Sequence, residues 1–269
     1  MEFGVCLLSV VPVRSEPSHR SEMVTQLLFG ELFRILSVEK EWAHVEMSFD
    51  EYRGWVPFSQ FEFLSEKEFL HLFNAESAIT TELLQLLSNA TRQTIFPIVA
   101  GSSLPGFENG EFLIRGETYY YDGEVKETSS FENATTRAEI QRAKKEIVSD
   151  AIFYLNAPYL WGGRTPFGID CSGFTQMVYK KSKIRLPRDS AQQALHGEPL
   201  SFLSEAEPGD LAFFDNEEGK IIHVGIIIDT AHIIHASGRV RIDTVDHQGI
   251  YNVETNKYTH RLRVIKRMV

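Results

Sequence analysis

Residues 159–179 read YLWGGRTPFGIDCSGFTQMVY, a loop sequence followed by a helical one. Three glycines and a proline interrupt regular structure in the first half of this segment. Phe174, Met177 and Val178 then recur at helical spacing, which places their side chains on one face of a helix. The segment therefore predicts a loop that leads into a helix.

Asp170 stands where the loop meets the helix, and aspartate is favoured there as an N-cap. Cys171 then falls in the first helical turn. Unpaired backbone N–H groups and the positive end of the helix dipole favour the thiolate form of a cysteine at this position. Since the thiolate is the form that attacks carbonyl carbon, we interpret Cys171 as a nucleophile. The alternative is a structural thiol at a helix start.

A nucleophilic cysteine needs a general base, and residues 221–237 contain the candidate histidines. These residues predict two β-branched strands joined by a turn at residues 229–231. With a three-residue turn, Gly225 lies opposite His235, and His223 becomes a diagonal neighbour of His235 on the same face. A two-residue turn shifts the register by one residue and places the two histidines on opposite faces.

Six short motifs follow one another along the second half of the chain. In order they are Tyr-x-Trp-Gly-Gly, Asp-Cys-Ser-Gly-Phe, Leu-Pro-Arg-Asp-Ser, Pro-Gly-Asp-Leu-x-Phe-Phe, His-Val-Gly-Ile and Ile-His-Ala-Ser. Together they resemble the NlpC/P60 cysteine peptidases, which have a papain-like core. The resemblance implies that Cys171 is the nucleophile, His223 the base and His235 the residue that orients the base. His232 competes with His235 for the third role, but it adjoins the turn.

The composition limits the class of protein. The chain has 269 residues, enough for two or three domains, of which 43% are hydrophobic and 24% charged. A formal net charge of −10 argues against a nucleic-acid partner and against attraction to an anionic membrane. The two cysteines, Cys6 and Cys171, fall in different predicted domains, and no zinc-binding spacing is present. We expect a monomer that needs neither a metal nor an organic cofactor.

The N-terminal segment has Glu2 where a signal peptide has basic residues, and its apolar run ends at Pro12 without a small-residue cleavage site. We interpret the segment as a strand and expect a cytoplasmic protein. The alternative is a secreted protein whose export signal was removed.

Residues 1–64 predict a small barrel, because short strand signals alternate with turn residues. The predicted strands are residues 3–11, 23–28, 31–39, 42–47 and 52–57. The order of Gly-Glu, Glu-Trp-Ala-His-Val and Tyr-Arg-Gly-Trp-Val-Pro motifs in this region resembles bacterial SH3-like domains. Residues 65–130 predict a linking helix, which begins at the capping box of Ser65, and a second, diverged SH3-like domain.

The predicted fold class is α+β, with a papain-like NlpC/P60 catalytic domain at residues 135–269 preceded by two small SH3-like β-barrels. The polar residues 124–136 form the predicted boundary, and a helix over residues 137–156 follows. A short helix capped by Asp189 or Ser190, a buried strand that ends at Asp215, and strands over residues 239–245 and 257–267 complete the domain.

The resemblance also implies an oxyanion site and a substrate class. The Cys171 backbone N–H and the Tyr159 hydroxyl would stabilise the oxyanion, although Tyr159 is alternatively a packed ring. Family members with two N-terminal SH3-like domains cleave the γ-D-glutamyl–diamino acid bond of murein peptides that carry a free N-terminal L-Ala. This chain would then release L-Ala-D-Glu during recycling of wall peptides.

A free ammonium in a partly dry pocket requires carboxylates, so the substrate class implies a set of binding residues. The predicted binding residues are Asp170, Glu22 and Tyr52 for the ammonium and Ser172, Ser190 and Trp161 for the γ-glutamyl part. Asp170 is alternatively only a helix cap, and Glu22 and Tyr52 are alternatively a solvated pair. Three other functions stay open: a secreted hydrolase of intact wall stems, a thiol acyltransferase and an inactive wall-binding module.

Overall fold

The computed structural model describes residues 2–126 and 136–269. The chain divides into two compact units, Met1–Thr128 and Ser129–Val269. The predicted domain limits at residues 130 and 135 lie outside the described residues, as does most of the predicted boundary at 124–136. Within the two described ranges, no helix combines the length and the apolar character needed to cross a bilayer.

The first unit begins with an antiparallel sheet of seven strands, in the order β3-β2-β6-β5-β4-β1-β7. The strands are β1 Glu2–Val5, β2 Val10–Arg14, β3 Met23–Leu28, β4 Leu32–Glu39, β5 Trp42–Met47, β6 Arg53–Pro57 and β7 Glu62–Leu64. The single strand predicted over residues 3–11 was wrong, because the chain leaves the sheet between β1 and β2. There Cys6 exchanges two backbone hydrogen bonds with the turn at residues 30–31, and Leu8 is exposed.

A capped helix follows the first sheet. Helix α1, Glu66–Asn74, begins with the predicted capping box: Ser65 Oγ accepts from the Glu68 N–H at 3.3 Å, and Glu68 accepts from the Ser65 N–H at 2.8 Å. These two bonds satisfy backbone donors that the helix start leaves unpaired. The buried Phe69 of α1 stacks on Phe3 of β1, which fixes the helix against the sheet.

Two small sheets complete the first unit, in the orders β10-β9-β13-β12 and β11-β8-β14. Their strands are β8 Ser77–Thr80, β9 Leu84–Asn89, β10 Thr94–Val99, β11 Ser103–Pro105, β12 Glu111–Ile114, β13 Glu117–Tyr120 and β14 Val125–Lys126. The buried ring of Phe29 packs against Phe96, Phe112 and Tyr119 of these sheets. One apolar core therefore joins the two β regions, and their division into two domains at residue 64 stays a prediction.

The second unit contains three α-helices, one 3-10 helix at Leu203–Glu205 and nine strands among its described residues. The helices are α2 Arg137–Phe153, α3 Cys171–Lys181 and α4 Ser190–Gln193. The strands are β15 Arg164–Thr165, β16 Gly168–Ile169, β17 Glu198–Leu200, β18 Leu211–Asp215, β19 Ile221–Ile227, β20 His232–Ser237, β21 Arg239–Val245, β22 Gly249–Asn252 and β23 Lys257–Arg267. Helix α2 ends at Phe153, three residues before its predicted end.

Six of these strands form a sheet that closes into a barrel. The sheet order is β17-β23-β18-β19-β20-β21-β22, and β22 also pairs with β23, so that β18 to β23 form a six-stranded barrel. Helix α3 packs against β19 and β20, and all eleven of its residues are buried. The closed barrel and the buried helix bring together residues from three places: the loop before α3, the β19–β20 hairpin and the last strand, β23.

Candidate active site

Cys171 is the first residue of α3, and Asp170 is the N-cap as predicted. Asp170 has extended backbone torsions, and its carboxylate accepts from the Gly173 N–H at 2.7 Å. Hydrogen bonds with the backbone of Val224 and Ser172 hold the Cys171 sulfur against β19, one residue beyond His223. The loop, the helix start and the hairpin therefore meet at this sulfur.

The protonation state of Cys171 differs from the expectation based on the helix start. Burial raises the pKa of the Cys171 thiol to about 12, and the nearby charge of Asp170 adds to this effect. The two backbone hydrogen bonds and Arg188 act in the opposite direction but do not outweigh burial. The resting sulfur is therefore a neutral thiol, and it needs a base that takes its proton during attack.

The hairpin has the register that a three-residue turn gives. Gly225 pairs with His235 across β19 and β20, which excludes the register of a two-residue turn. His223 Nε2 and His235 Nδ1 lie 2.8 Å apart, and both side chains are buried. Glycine is required at position 225, because a Cβ atom there would lie 2.8 Å from the His235 Cβ.

A buried aspartate extends the pair of histidines. His235 Nε2 lies 3.0 Å from Asp243 Oδ2, and both side chains are 1% exposed. Arg241 binds the same carboxylate, with its Nε 2.7 Å from Oδ2 and its Nη2 2.9 Å from Oδ1. Asp243 was not among the residues predicted from the sequence. Its one sequence signal was a carboxylate two residues after Arg241, on the same face of a predicted strand.

These contacts determine which nitrogen of His223 is the base. A carboxylate can only accept, so Asp243 receives the hydrogen of His235 Nε2 and leaves His235 Nδ1 as an acceptor. His223 must then donate its Nε2 hydrogen to His235, which leaves the lone pair on His223 Nδ1. Burial lowers the pKa of both histidines, most strongly for His223, so both rings are neutral at neutral pH. His223 Nδ1 is therefore able to accept the thiol proton.

A third histidine packs on one face of the His223 ring. No role was predicted for it from the sequence. The ring of His260, on β23, stacks on the His223 ring with centroids 4.0 Å apart and planes 24° apart. Its Nδ1 lies 2.9 Å from Thr259 Oγ1. Burial lowers the pKa of His260 to about 4. His260 therefore stacks on the catalytic imidazole as an uncharged ring at neutral pH.

The ligand atoms of the three histidines lie within 4.8 Å of one another, which is close enough to consider a metal ion. The hydrogen bond between His223 and His235, however, already uses one nitrogen of each ring. The stacked rings of His223 and His260 are close to parallel, so their in-plane lone pairs do not converge on one point. We therefore interpret His223 and His235 as a hydrogen-bonded catalytic pair, on which the ring of His260 packs, and not as metal ligands.

Asp170 belongs to a buried network next to the nucleophile. Besides the Gly173 bond, its carboxylate accepts from the Gly162 N–H at 2.8 Å and from Arg188 Nη1 and Nη2 at 3.0 and 2.5 Å. Arg188 also donates to Ser172 Oγ at 2.9 Å, and its side chain is 2% exposed. A bidentate pair of this kind holds both partners in fixed positions. From the sequence, Arg188 was predicted only as part of a motif, and its bond to Asp170 was not predicted.

The family comparison agrees with this geometry. The NlpC/P60 family matches residues 156–261, which contain Cys171 and all three histidines. The second unit is an NlpC/P60 cysteine peptidase domain. Residues 13–61 match the family described as "Bacterial dipeptidyl-peptidase Sh3 domain", so a bacterial SH3 domain precedes the peptidase domain. The predicted fold class and the predicted type of enzyme are confirmed.

Named relatives cover most of the chain. The gamma-D-glutamyl-L-lysine dipeptidyl-peptidase of Bacillus subtilis is 29% identical over 233 residues, which are 79% of this chain and 71% of that protein. Dipeptidyl-peptidase 6 of Lysinibacillus sphaericus is 25% identical over 91% of this chain and 92% of its own length. An NlpC/P60 family protein from Bacillus cereus shares the fold, with a TM-score of 0.81 over 99% of both chains at 19% identity.

Of the remaining predicted residues of the peptidase domain, Tyr159 lies near the nucleophile. Burial raises the pKa of Tyr159 to about 12, and the proximity of Cys171 and Asp170 adds to the shift. Its hydroxyl therefore stays protonated and able to donate near the sulfur. Ser190 is the first residue of α4 and is half-buried, whereas Trp161 is 60% exposed. The roles of these side chains in the peptidase domain stay predictions.

Glu22 and Tyr52 lie in the first unit. Glu22 is exposed and directly precedes β3. Tyr52 directly precedes β6, and its half-buried ring packs against the core of the first sheet. Their predicted role in binding an ammonium group stays a prediction.

Proposed function

We propose that this cysteine peptidase hydrolyses the γ-D-glutamyl–diamino acid bond of murein peptides that carry a free N-terminal L-Ala, and releases L-Ala-D-Glu. Two kinds of similarity support the proposal. Relatives over most of the chain are named for a γ-D-glutamyl-L-lysine dipeptidyl-peptidase activity. The SH3 domain at residues 13–61 also belongs to a family named for bacterial dipeptidyl-peptidases.

The observation that carries the enzymatic function is the series of hydrogen bonds from His223 through His235 to Asp243. It begins one residue before Val224, whose backbone bonds the Cys171 sulfur. An inactive binding module has no need to bury two neutral histidines and a carboxylate in line. These hydrogen bonds use His223 Nε2, so the lone pair on His223 Nδ1 is not used by His235 or Asp243. That is the arrangement that activates a thiol for attack on a carbonyl group.

The first half of the reaction transfers the acyl group to the enzyme. His223 Nδ1 takes the Cys171 proton as the sulfur attacks the γ-carbonyl carbon of the D-glutamyl residue. The Cys171 N–H and the Tyr159 hydroxyl donate to the oxyanion. The tetrahedral intermediate then collapses, the carbon–nitrogen bond breaks, and the His223 imidazolium protonates the leaving amine. The product of this half is a thioester on Cys171.

The second half returns the enzyme to its starting state. His223 Nδ1 takes a proton from water, and the resulting oxygen attacks the thioester carbon. The carbon–sulfur bond breaks, Cys171 regains its proton from His223, and L-Ala-D-Glu leaves with a free γ-carboxylate. Throughout, Asp243 keeps its hydrogen bond to His235, so these two residues stabilise the positive charge that forms on His223.

The residues proposed for recognition take no part in these hydrogen bonds. Asp170 and Glu22 are the proposed carboxylates for the N-terminal ammonium, with the Tyr52 hydroxyl oxygen as a further hydrogen-bond acceptor. Ser172, Ser190 and Trp161 are proposed to bind the γ-glutamyl part. Arg188 already pairs with Asp170, so the geometry also supports the helix-cap role of that carboxylate.

A free N-terminus is a property of short soluble peptides, so the proposed specificity fits recycling of murein fragments. We propose a cytoplasmic location for the same reason. The third residue of the substrate, lysine or diaminopimelate, is left for experiment.

Mass spectrometry of the products tests the proposal. The wild type and Cys171→Ala are incubated with L-Ala-γ-D-Glu-L-Lys and with L-Ala-γ-D-Glu-diaminopimelate. Release of L-Ala-D-Glu by the wild type alone is expected. Cleavage of intact wall stems in preference to both peptides would favour a wall hydrolase. Labelling of Cys171 by a thiol reagent without any cleavage would favour an acyltransferase, and absence of both would favour an inactive module.

A further inference from the structure

The reaction itself locates the leaving part of the substrate. The leaving amine takes its proton from His223, so it must lie within hydrogen-bond distance of His223 Nδ1. The acyl part is meanwhile bound to Cys171. The rest of the leaving amino acid therefore extends past His223, on the side away from the sulfur.

A cavity of about 870 Å³ opens beside residues 258–262 of β23. One of its walls is His260, the ring that stacks on His223. Asp215 and Glu217, at the end of β18, and Arg261, next to His260, also line it. This volume lies within the range of about 300–1,000 Å³ that is typical of sites for small ligands.

The cavity presents charges of both signs. Asp215 is buried, and Arg261 Nε binds its Oδ1 at 2.7 Å, which holds the pKa of Asp215 below its usual value. The Arg261 side chain is 60% exposed, so the guanidinium also faces solvent. Glu217 is exposed on the loop that follows β18. The lining therefore suits a small zwitterionic group with a separate ammonium.

We propose that this cavity is the subsite for the leaving diamino acid, with Glu217 receiving the side-chain ammonium and Arg261 the carboxylate. The assignment rests on the proposed function and adds to it a preference at the third residue. A diamino acid whose side-chain amine is free fits the cavity. An acylated side-chain amine, as in a cross-linked stem, lacks the charge that Glu217 recognises.

Substrate pairs that differ by one charge test the role of Glu217. The pair is L-Ala-γ-D-Glu-L-Lys and L-Ala-γ-D-Glu-L-norleucine, and release of L-Ala-D-Glu gives kcat/KM for both. We expect the wild type to prefer the lysine peptide about fivefold, as an exposed charge pair allows. Glu217→Gln should remove this preference, so that kcat/KM becomes equal for the two peptides. Glu218→Gln, at the adjacent glutamate that pairs with Lys220, is the matched control and should keep the preference.

The role of Arg261 is tested in the same way, with the lysine peptide and its C-terminal amide. Arg261→Gln should remove the preference for the free carboxylate, and Arg263→Gln should keep it. Arg263 is a matched control because its Nε also lies near Asp215, at 3.8 Å.

Two results overturn the assignment: equal kcat/KM of the wild type for both members of a pair, or equal effects of the Glu217 and Glu218 substitutions. The failure of the proposed function looks different, because then neither peptide releases L-Ala-D-Glu. That result contradicts the function and the subsite together.

Discussion

His223 Nε2 and His235 Nδ1 lie 2.8 Å apart, and this contact assigns the base of the reaction to the other nitrogen of His223. The contact requires the neutral Nε2–H tautomer of His235, which Asp243 selects from the far side of the ring. The catalytic histidine is thus oriented by a relay of two residues, a histidine and an aspartate. The predictions below follow from this relay and from its surroundings.

Asp243→Asn should lower kcat on the order of 100-fold with little change in KM. The amide can donate to His235 Nε2, which favours the tautomer of His235 with its hydrogen on Nδ1. His235 then donates to His223 Nε2, so His223 carries its hydrogen on Nδ1 and cannot accept the thiol proton there. Steady-state kinetics on the γ-glutamyl peptide measure the effect. Asp229→Asn is the matched control, because Asp229 pairs with the exposed His232 at the hairpin turn. Equal kcat for Asp243→Asn and the wild type would show that the relay ends at His235.

His260→Ala should move the acidic limb of the kcat/KM profile to higher pH. Burial is the first cause of the lowered pKa of His223, and removal of the stacked ring admits water to the imidazole. We expect a shift of about one pH unit, since His260 covers only one face of the ring. His260→Phe keeps an apolar ring in place and should leave the limb where it is. Identical profiles for the two variants would contradict a role for the stacked ring.

The stability of the protein should fall in weak acid. The pKa values of His223, His235 and His260 lie below the usual value of about 6.5, to which they return in the unfolded chain. The unfolded chain therefore binds more protons below about pH 6.5, and the free energy of unfolding decreases as pH falls from there toward 4.

His260→Phe removes one of these titrating groups. The slope of the free energy of unfolding against pH should then fall by up to about 1.4 kcal/mol per pH unit between pH 6.5 and 4. Urea denaturation of the variant and of its parent, both with Cys171→Ala, measures the two slopes. Parallel slopes would mean that His260 does not change its protonation on unfolding.

Gly225→Ala should abolish most of the activity. The added methyl group meets His235 Cβ at 2.8 Å, so His235 must move and its hydrogen bond to His223 must lengthen. Gly219→Ala is the comparison, because its Cβ has no atom within 4 Å but its φ is +78°. That substitution should destabilise the fold by roughly 1 kcal/mol through backbone strain and leave kcat unchanged. Similar kcat values for the two variants would contradict the steric argument.

The local parts of the site were predictable from the sequence, and the long-range parts were not. The N-cap at Asp170 follows from the short-range rules of helix starts, and that prediction is confirmed. The hairpin register was open between two turn lengths, and the structure has the register of the three-residue turn. Asp243 and His260 come from strands that meet His235 and His223 only when the barrel closes. No periodicity within one strand indicates which strand will be its neighbour across a closed sheet.

The protonation state of Cys171 could not be predicted from the sequence either. The helix start predicted a thiolate, but the whole of α3 is buried, and burial decides the pKa of the thiol. A sequence pattern shows which face of an element is apolar. The burial of Cys171, at the start of α3, depends on how several elements pack around it.

The most direct test of the proposed function compares the free peptide L-Ala-γ-D-Glu-diaminopimelate with its N-acetylated form. Mass spectrometry follows the release of the dipeptide, with Cys171→Ala as the inactive control. The predicted result is release of L-Ala-D-Glu from the free peptide only, and none with the variant. Equal cleavage of the free and acetylated peptides would contradict recognition of the N-terminal ammonium and would indicate a hydrolase of intact wall stems.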